Sequence, residues 1–318
     1  MPAPRDTALV VRAARLYYEQ GRSQTEVAAE LGLSRSNVSR ILSQAKERGI
    51  VEVTIHDPDG PPRRDEALEA ALRATFSLAE VHVVSAPRTS AMEAVAREGA
   101  ALISERAATV RSIGVSWGQT VQSVVARMET LRPRPTPTVL PLVGGHSALD
   151  QFDSGESVLR VLASRLGATP RTLYAPAVLE SATAAETLRA ESSIRTVLEA
   201  AAQVELAVVG IGSMGQHSSP HVLELMALSD EERAAFEAQG PVGDVCGRFI
   251  DAHGVPLGAP TDQRVLAVTL SELLRIPEVL GVAAGAEKAR GVAGVLRSGV
   301  IRTLVVDVDL ARDLLAGT

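Results

Sequence analysis

The sequence predicts an α/β protein in two parts: an N-terminal winged helix-turn-helix, then a larger, doubly wound, mostly parallel α/β domain. Three observations predict it. Residues 21–49 hold two short helical patterns parted by one glycine. Residues 56–64, HDPDGPPRR, carry three prolines and a glycine that stop regular structure. Beyond them, apolar strand-like runs alternate with helical patterns, as a parallel sheet covered on both faces requires. The expected boundaries are 1–58 for the small domain, 59–64 for a linker and 65–318 for the large domain.

In the small domain, Ser23 with Glu26 three residues on forms a capping box and marks a helix start. Val27, Ala28 and Leu31 follow at helical spacing, Gly32 permits a left-handed turn, and Leu33 fills the corner. Ser34 caps a second helix in which Val38, Ile41 and Leu42 face inward. That leaves Arg35, Ser36, Asn37, Ser39, Arg40 and Gln44 outward. Arg and Asn present forked groups that match guanine and adenine edges in a major groove, while Ser and helix N-terminal N–H groups hold phosphate. Ser34, Arg35, Ser36, Asn37, Ser39 and Arg40 are therefore the candidate DNA contacts. Residues 8–20 read as a third helix with Leu9, Ala13, Leu16 and Tyr17 inward, and residues 50–56 alternate as a wing strand would.

The net charge of −6 looks wrong for a DNA binder until it is divided. Residues 1–58 hold 8 Lys+Arg and 7 Asp+Glu, or +1, so the remainder carries −7. Within 34–48, four basic residues (Arg35, Arg40, Lys46, Arg48) face one acid, Glu47. DNA affinity is thus local, and an acidic large domain favours binding through a homodimer or homotetramer that adds small basic faces. With 318 residues, 46% of them hydrophobic, the chain is long enough for two domains. A single cysteine, Cys246, excludes an intrachain disulfide and reads as a buried small residue. Neither a secretory h-region nor an apolar run of 18 residues is present, so a cytoplasmic protein without a membrane partner is expected.

In the large domain, strands are expected at 81–86, 111–117, 138–143, 171–174, 205–211, 265–270, 279–284 and 302–306. Helices are expected at 65–76, 91–108, 155–166, 183–202, 229–238, 286–298 and 309–316. Open parallel sheets bind ligands beyond the carboxyl ends of their strands. Three glycine-led turns fall there: Ser116, Trp117, Gly118, Gln119 and Thr120; Gly144 and Gly145; and Gly212 to Gly215. A glycine turn entering a helix aims N–H groups and a positive dipole end at the mouth, which suits a phosphorylated small molecule. Asp244, Arg248 and Asp251 lie in GDVCGRFIDAHG, a segment that reads as too polar for core; its carboxylates could accept sugar hydroxyls and Arg248 could pair with phosphate. Lys288 is one of two lysines against thirty arginines and follows the strand at 279–284, so its ammonium is expected at the mouth.

Residues 210–215 also fit G-x-G-x-x-G after a strand, which raises an NAD-sensing redox repressor. The fingerprint needs an immediate helix, and residues 216–220 instead read as a loop containing Pro220. The six histidines show no H-E-x-x-H arrangement, so no metal site is expected.

Several stretches together resemble the SorC family of bacterial transcriptional regulators. They are YYEQGRSQTEVAAELGLSRSNVSRILSQAKERGIVEV (17–53), GVSWGQT (114–120), LPLVGG (140–145), VVGIGSMG (208–215), GDVCGRFIDAHG (243–254) and GVAAGAEKARGVAGVLRSGVIRTLVVD (281–307). The resemblance implies an effector domain similar to ribose-phosphate isomerases and glucosamine-phosphate deaminases that has lost catalysis and binds a phosphorylated sugar. It implies Ser116, Gly118, Gln119 and Thr120 at the phosphate, Gly144 and Gly145 beside the sugar, and Asp244, Asp251 and Lys288 around the rest, with Gly212 in the third loop. Relatives that sense a sugar bisphosphate carry an arginine in the segment matching 140–145; this chain has none, which speaks against a second phosphate. The expected function is a regulator of carbohydrate metabolism, a repressor without cofactor, whose affinity for operator DNA a sugar phosphate controls. The rival is a sugar-phosphate isomerase or deaminase, for which no acid-rich loop supplies a base.

Overall fold

A computed structural model of the chain describes residues 7–51, 63–85, 90–145, 155–215 and 218–317. The chain divides into two compact units, Met1–Gly60 and Pro61–Thr318.

The first unit packs α1 (Thr7–Ala14), which runs on into one π-turn (Arg15–Glu19), against α2 (Gln24–Leu31) and α3 (Arg35–Glu47). Its core is Val10, Ala13, Leu16, Val27, Val38 and Ile41. Both halves of the capping box form: the Glu26 N–H donates to Ser23 Oγ at 3.3 Å and the Ser23 N–H to Glu26 Oε2 at 2.8 Å. Gly32 turns the chain at φ 66°, and Ser34 Oγ caps α3 by accepting the Asn37 N–H at 3.3 Å. Of the expected wing, Ile50 and Val51 are not strand, and 52–56 lie outside the described residues.

The second unit begins with β1 (Arg63–Arg64), α4 (Glu66–Phe76), β2 (Glu80–Ser85), α5 (Ala91–Arg106), β3 (Ser112–Val115), α6 (Gln119–Arg127) and β4 (Thr138–Pro141). It continues with α7 (Gly155–Leu166), α8 (Ala182–Ala190), α9 (Ser192–Ala201), β5 (Leu206–Gly210), β6 (Gly212–Ser213), α10 (Ser218–Leu225) and α11 (Asp230–Glu237). The last part is β7 (Pro241–Val245), β8 (Arg248–Asp251), α12 (Leu270–Leu273), β9 (Glu278–Val282), α13 (Ala289–Arg297), β10 (Thr303–Asp307) and α14 (Val308–Ala316). Seven strands form one sheet in the order β1-β2-β10-β9-β5-β3-β4, and β6-β7-β8 form a second. In the large sheet every pair is parallel except β1 with β2. Period-two alternation feeds two cores. Leu206, Val208 and Val305 pack under α5, α6 and α7, while Ala207, Val209 and Val306 pack under α4, α13 and α14.

Several expected elements differ, each for a local reason. Residues 171–174 are not strand: Pro170 lacks an N–H, and the segment makes one bridge to the edge strand, with the Arg171 N–H donating to Val139 O. Residues 265–270 make bridges to Val178 and Val143, and a Thr269–Glu272 capping box then starts α12 at Leu270. The expected helix 183–202 breaks at Glu191 (ψ 130°) into α8 and α9. The expected helix 286–298 opens as a 3-10 turn, Ala286–Lys288. Pro220 sits in the first turn of α10, where its missing N–H has no helical partner to lose. Residues 63–64 of the expected linker are β1.

Candidate effector site and nucleic-acid interface

The connection after β3 runs through α6 to β4 on one face of the sheet, whereas that after β5 leads toward β9 and α13 on the other. Adjacent strands whose connections diverge this way open a crevice at their carboxyl ends, the topological switch point where ligands bind in open α/β sheets. Here it lies between β3 and β5.

Two side chains stitch its rim. Ser116 Oγ accepts the Gly210 N–H at 3.1 Å, tying the end of β3 to that of β5. Trp117 Nε1 donates to Gly144 O at 3.0 Å, tying the end of β3 to that of β4. Ser116 is therefore a buried tie, and Trp117, which the sequence places in this turn but not among the effector contacts, builds the rim; its being the only tryptophan, directly after a buried strand, was the available signal.

Beside these ties stands α6, whose N-terminus has no side-chain cap. Gly118 precedes it at φ 124°, ψ 156°, a conformation almost reserved for glycine, and nothing lies within 4 Å of a Cβ placed on it. Gln119 is exposed. Thr120 is 4% exposed, and its hydroxyl makes no hydrogen bond among the described residues. Open N–H groups, a positive helix end and an unengaged hydroxyl make this an anion cradle.

Lys288 lies two strands along, in the 3-10 turn after β9, and is 5% exposed. The residue follows the carboxyl end of β9, where the sequence puts it, and it is buried. Its Nζ makes no hydrogen bond or ion pair among the described residues. Burial depresses its pKa, opposed by the fields of Glu287 and Asp307. A buried ammonium so placed is stabilised by an anion that reaches it.

The remaining expected site residues divide. Gly212 and Asp244 meet: a Cβ on Gly212 would fall 2.0 Å from Asp244 Oδ1. The Asp244 carboxyl is buried, accepting the Ser219 hydroxyl at 2.5 Å and the Gly247 N–H at 3.2 Å; burial raises its pKa against both bonds. Gly144 and Gly145 have their backbone groups engaged. Gly144 N–H donates to Leu266 O at 2.8 Å, Gly145 N–H to Ala175 O at 2.7 Å, and Gly145 O accepts from Ala177. They shape the wall and leave no N–H for a ligand.

Asp251 lies at the open end of the β7–β8 hairpin, opposite Pro241, whereas Asp244 lies beside its turn. The Asp251 Oδ1 accepts the N–H groups of His253 and Val255, both at 2.8 Å, closing a turn beside the C-terminal end of α13. That helix packs Gly291 on Ser213 and Gly294 on Asp251 O, and Arg297 donates to Ala252 O. Ser213 beside Gly291 and Asp251 beside Gly294 are thus about one turn of helix apart along α13.

The segment 243–254 is not a polar turn but a largely buried hairpin. Cys246 (φ 53°) and Gly247 (φ 74°) take the left-handed pair that a tight hairpin needs. Cys246 is buried as expected, with its thiol pushed up to about 12 by burial. Arg248, 3% exposed, donates to Val268 O, Asp262 O, Asp262 Oδ1, Val265 O and Ala267 O, so it is an internal staple and has no donor to spare for phosphate. In 210–215, Gly212 and Ser213 form β6 rather than a helix N-terminus, so the dinucleotide cradle does not form.

On the first unit, Ser34, Arg35, Ser36, Ser39 and Arg40 are exposed along α3 and Asn37 is half-buried. Arg48 is tied back, donating to Thr7 Oγ1 at 2.7 Å, and Lys46 lies 6.0 Å over the Tyr18 ring. The free basic charge of α3 is thus concentrated on Arg35 and Arg40, near its N-terminus.

Fold and site define a two-unit regulator, a helix-turn-helix joined to a sugar-binding α/β domain. The sugar-binding domain family (Sugar-bind) matches residues 61–316 and the MarR family residues 13–60. The chain is 31% identical over 317 residues to the transcriptional regulator LsrR of Klebsiella pneumoniae, covering 97% of this chain and 93% of that one. It is 29% identical over 311 residues to the deoxyribonucleoside regulator of Bacillus subtilis, covering 96% of each. The full-length sorbitol operon regulator SorC from Klebsiella pneumoniae superposes with a TM-score of 0.72 at 28% identity, covering 97% and 98%. The chain belongs to the SorC family of transcriptional regulators. It is a DNA-binding regulator with a sugar or phosphosugar effector, and not an enzyme. Among the described residues no helix is long and apolar enough to cross a membrane.

Proposed function

We propose that the effector is a sugar monophosphate whose phosphate rests on the N-terminus of α6, against Thr120, and is neutralised by Lys288. The buried Lys288 ammonium without a hydrogen-bonding partner carries this reading, because a neutral sugar would leave it uncompensated. The Asp244–Ser219 pair at Gly212 offers the sugar its polar wall. Arg35, Asn37 and Arg40 read operator bases, and Ser34, Ser36 and Ser39 contact phosphate. The small basic face of α3 on an acidic chain supports binding as a homodimer or homotetramer.

A thermal-shift panel tests the effector reading. A ligand that binds only the folded state raises its melting temperature. Sugar monophosphates are expected to do so, with their parent sugars and NADH inert. An equal shift from the parent sugar would remove the phosphate from the account.

A further inference from the structure

The amino ends of β9 and β10 carry a surface unlike the rest of their unit. A Cβ on Gly254 would fall 2.5 Å from Arg297 C and Ser298 N, so the turn after β8 lies on the turn between α13 and β10. On the other side of that turn, a Cβ on Gly299 would meet Leu274 Cδ2 at 3.9 Å. Val255 and Leu274 thus flank it, 56% and 43% exposed, two of the five large hydrophobics exposed among the described residues. Three guanidiniums surround them. Arg297 donates to Ala252 O at 2.9 Å and lies 5.9 Å over the Phe76 ring, Arg302 donates to Leu274 O at 3.2 Å, and Arg275 is exposed next to Leu274.

Residues 59–318 carry a net −7, yet none of these three arginines makes an ion pair among the described residues. The acids nearest to them in the chain are engaged: Asp251 closes its own turn, Glu272 completes the cap of α12, and Glu278 pairs with Arg106. Arginine around exposed aliphatic side chains is the make-up of a protein interface, where arginine is enriched and lysine depleted. A nucleic-acid phosphate would leave Val255 and Leu274 in water.

The complementary surface lies beside it, on α11. Residues 230–237 hold four acids against Arg233. Glu232 is taken up by Arg264 and by its capping box, while Asp230, Glu231 and Glu237 are exposed and make no ion pair among the described residues. Ala234 and Ala238 are exposed one and two turns after Asp230, so this face is an apolar strip edged with carboxylate. Gln239, just past the helix, accepts the Gly258 N–H at 3.2 Å and donates to Ala259 O at 2.9 Å, which sets α11 next to the segment that carries Val255.

Resting on the reading of the protein as a homodimer or homotetramer, we propose that a second copy of this chain docks here, α11 of each copy lying on the Val255–Leu274 patch of the other. Basic and acidic halves side by side on one surface are self-complementary about a twofold axis, as an isologous contact requires. The arginines meet Asp230, Glu231 and Glu237, and the alanine strip covers Val255 and Leu274. The contact sits at the amino ends of the strands and leaves the mouth at their carboxyl ends open.

Two charge-reversed forms of the full-length protein test this face. Arg275→Glu/Arg302→Glu makes the patch acidic and Glu231→Arg/Glu237→Arg makes α11 basic, and all four side chains are exposed. In sedimentation equilibrium at micromolar concentration, each variant alone should show half the wild-type mass, because like charges then face each other. Mixed in equal amounts they should regain the wild-type mass: the acidic patch of one meets the basic α11 of the other, and their unaltered halves still match. Variants that keep the wild-type mass, or that dissociate and do not recover it on mixing, overturn the face while the oligomer stands. A monomeric wild type defeats the oligomer reading itself, and the face falls with it. Should a double variant not fold by circular dichroism, Val255→Glu and Ala234→Arg are mixed in its place and judged by the same outcomes.

Discussion

The exposed face of α3 and the mouth at the β3/β5 switch point are both polar surfaces at helix N-termini, yet their polar groups are used differently. On α3, Arg35, Ser36, Ser39 and Arg40 project from a helix held by Val38, Ile41 and Leu42 beneath, so working residues and holding residues are distinct. At the mouth many polar groups hold the loops to one another: Ser116, the backbone of Gly144 and Gly145, and, further back, Arg248. Only a few remain for a ligand, chiefly the open end of α6, Thr120 and Lys288. Polarity after a strand is therefore weak evidence of binding until each group's partners are counted.

That contrast breaks first at Arg248. Replacing it with methionine leaves the Val268 and Asp262 carbonyls without their side-chain donor, at about 1–3 kcal/mol for each acceptor left unsatisfied. Urea unfolding of Arg248→Met should register the loss; a stability equal to the wild type would return Arg248 to the list of candidate ligands.

Gly118 comes next. Alanine there is forced into a region of backbone space essentially limited to glycine, at about 1–3 kcal/mol. Differential scanning calorimetry should show the destabilisation, and binding of sugar phosphate should weaken with it. A tolerated alanine would mean that the loop before α6 is not held as described.

On α3 the effect should appear in DNA binding and spare the fold. Asn37→Ala is expected to cost about 1–3 kcal/mol on a selected operator and less on random duplex, read by anisotropy. Equal losses on both would make Asn37 a phosphate contact.

The smallest effect is a pH dependence far from the mouth. His82 is buried, with Nδ1 2.5 Å from Glu98 Oε1 and Nε2 2.7 Å from Glu80 Oε1; Glu80 in turn pairs with Arg106. A neutral imidazole has one N–H and cannot donate to two carboxylates, so the cation is the folded form. Burial disfavours that cation, but the bonds to Glu98 and Glu80 outweigh it and raise the pKa. The folded pKa thus lies above the free value of about 6.5. The stabilisation is fully present below that value and is lost as pH rises through the raised one. His82→Gln should flatten this part of the stability–pH curve and leave sugar-phosphate affinity unchanged. A slope that survives the substitution would assign it to another group.

What the sequence revealed follows the same division. Helix starts were legible because capping is local: Ser23 with Glu26, and Ser34, predict both reader helices to the residue. The parallel sheet was legible from its apolar runs. The burial of GDVCGRFIDAHG was not, because Arg248 is satisfied by carbonyls some 14 to 20 residues away and Asp244 by Ser219, 25 residues earlier. Asp251 sits in the same hairpin as Asp244, but at its open end, a placement set by the pairing of β7 with β8 and by the packing on α13. Lys288 was legible through its rarity in an arginine-rich chain, though its burial was not.

Neutralisation of the effector's phosphate by Lys288 is central to the proposed function. Calorimetric titration of wild type and Lys288→Met, with a sugar monophosphate that shifts the wild-type melting temperature, tests it directly. Loss of a charge-assisted bond of about 1.5–3 kcal/mol predicts a dissociation constant raised roughly tenfold to a hundredfold. The ligand-free variant should be at least as stable as the wild type, because a buried charge has been removed. An unchanged titration in a folded variant would contradict the claim.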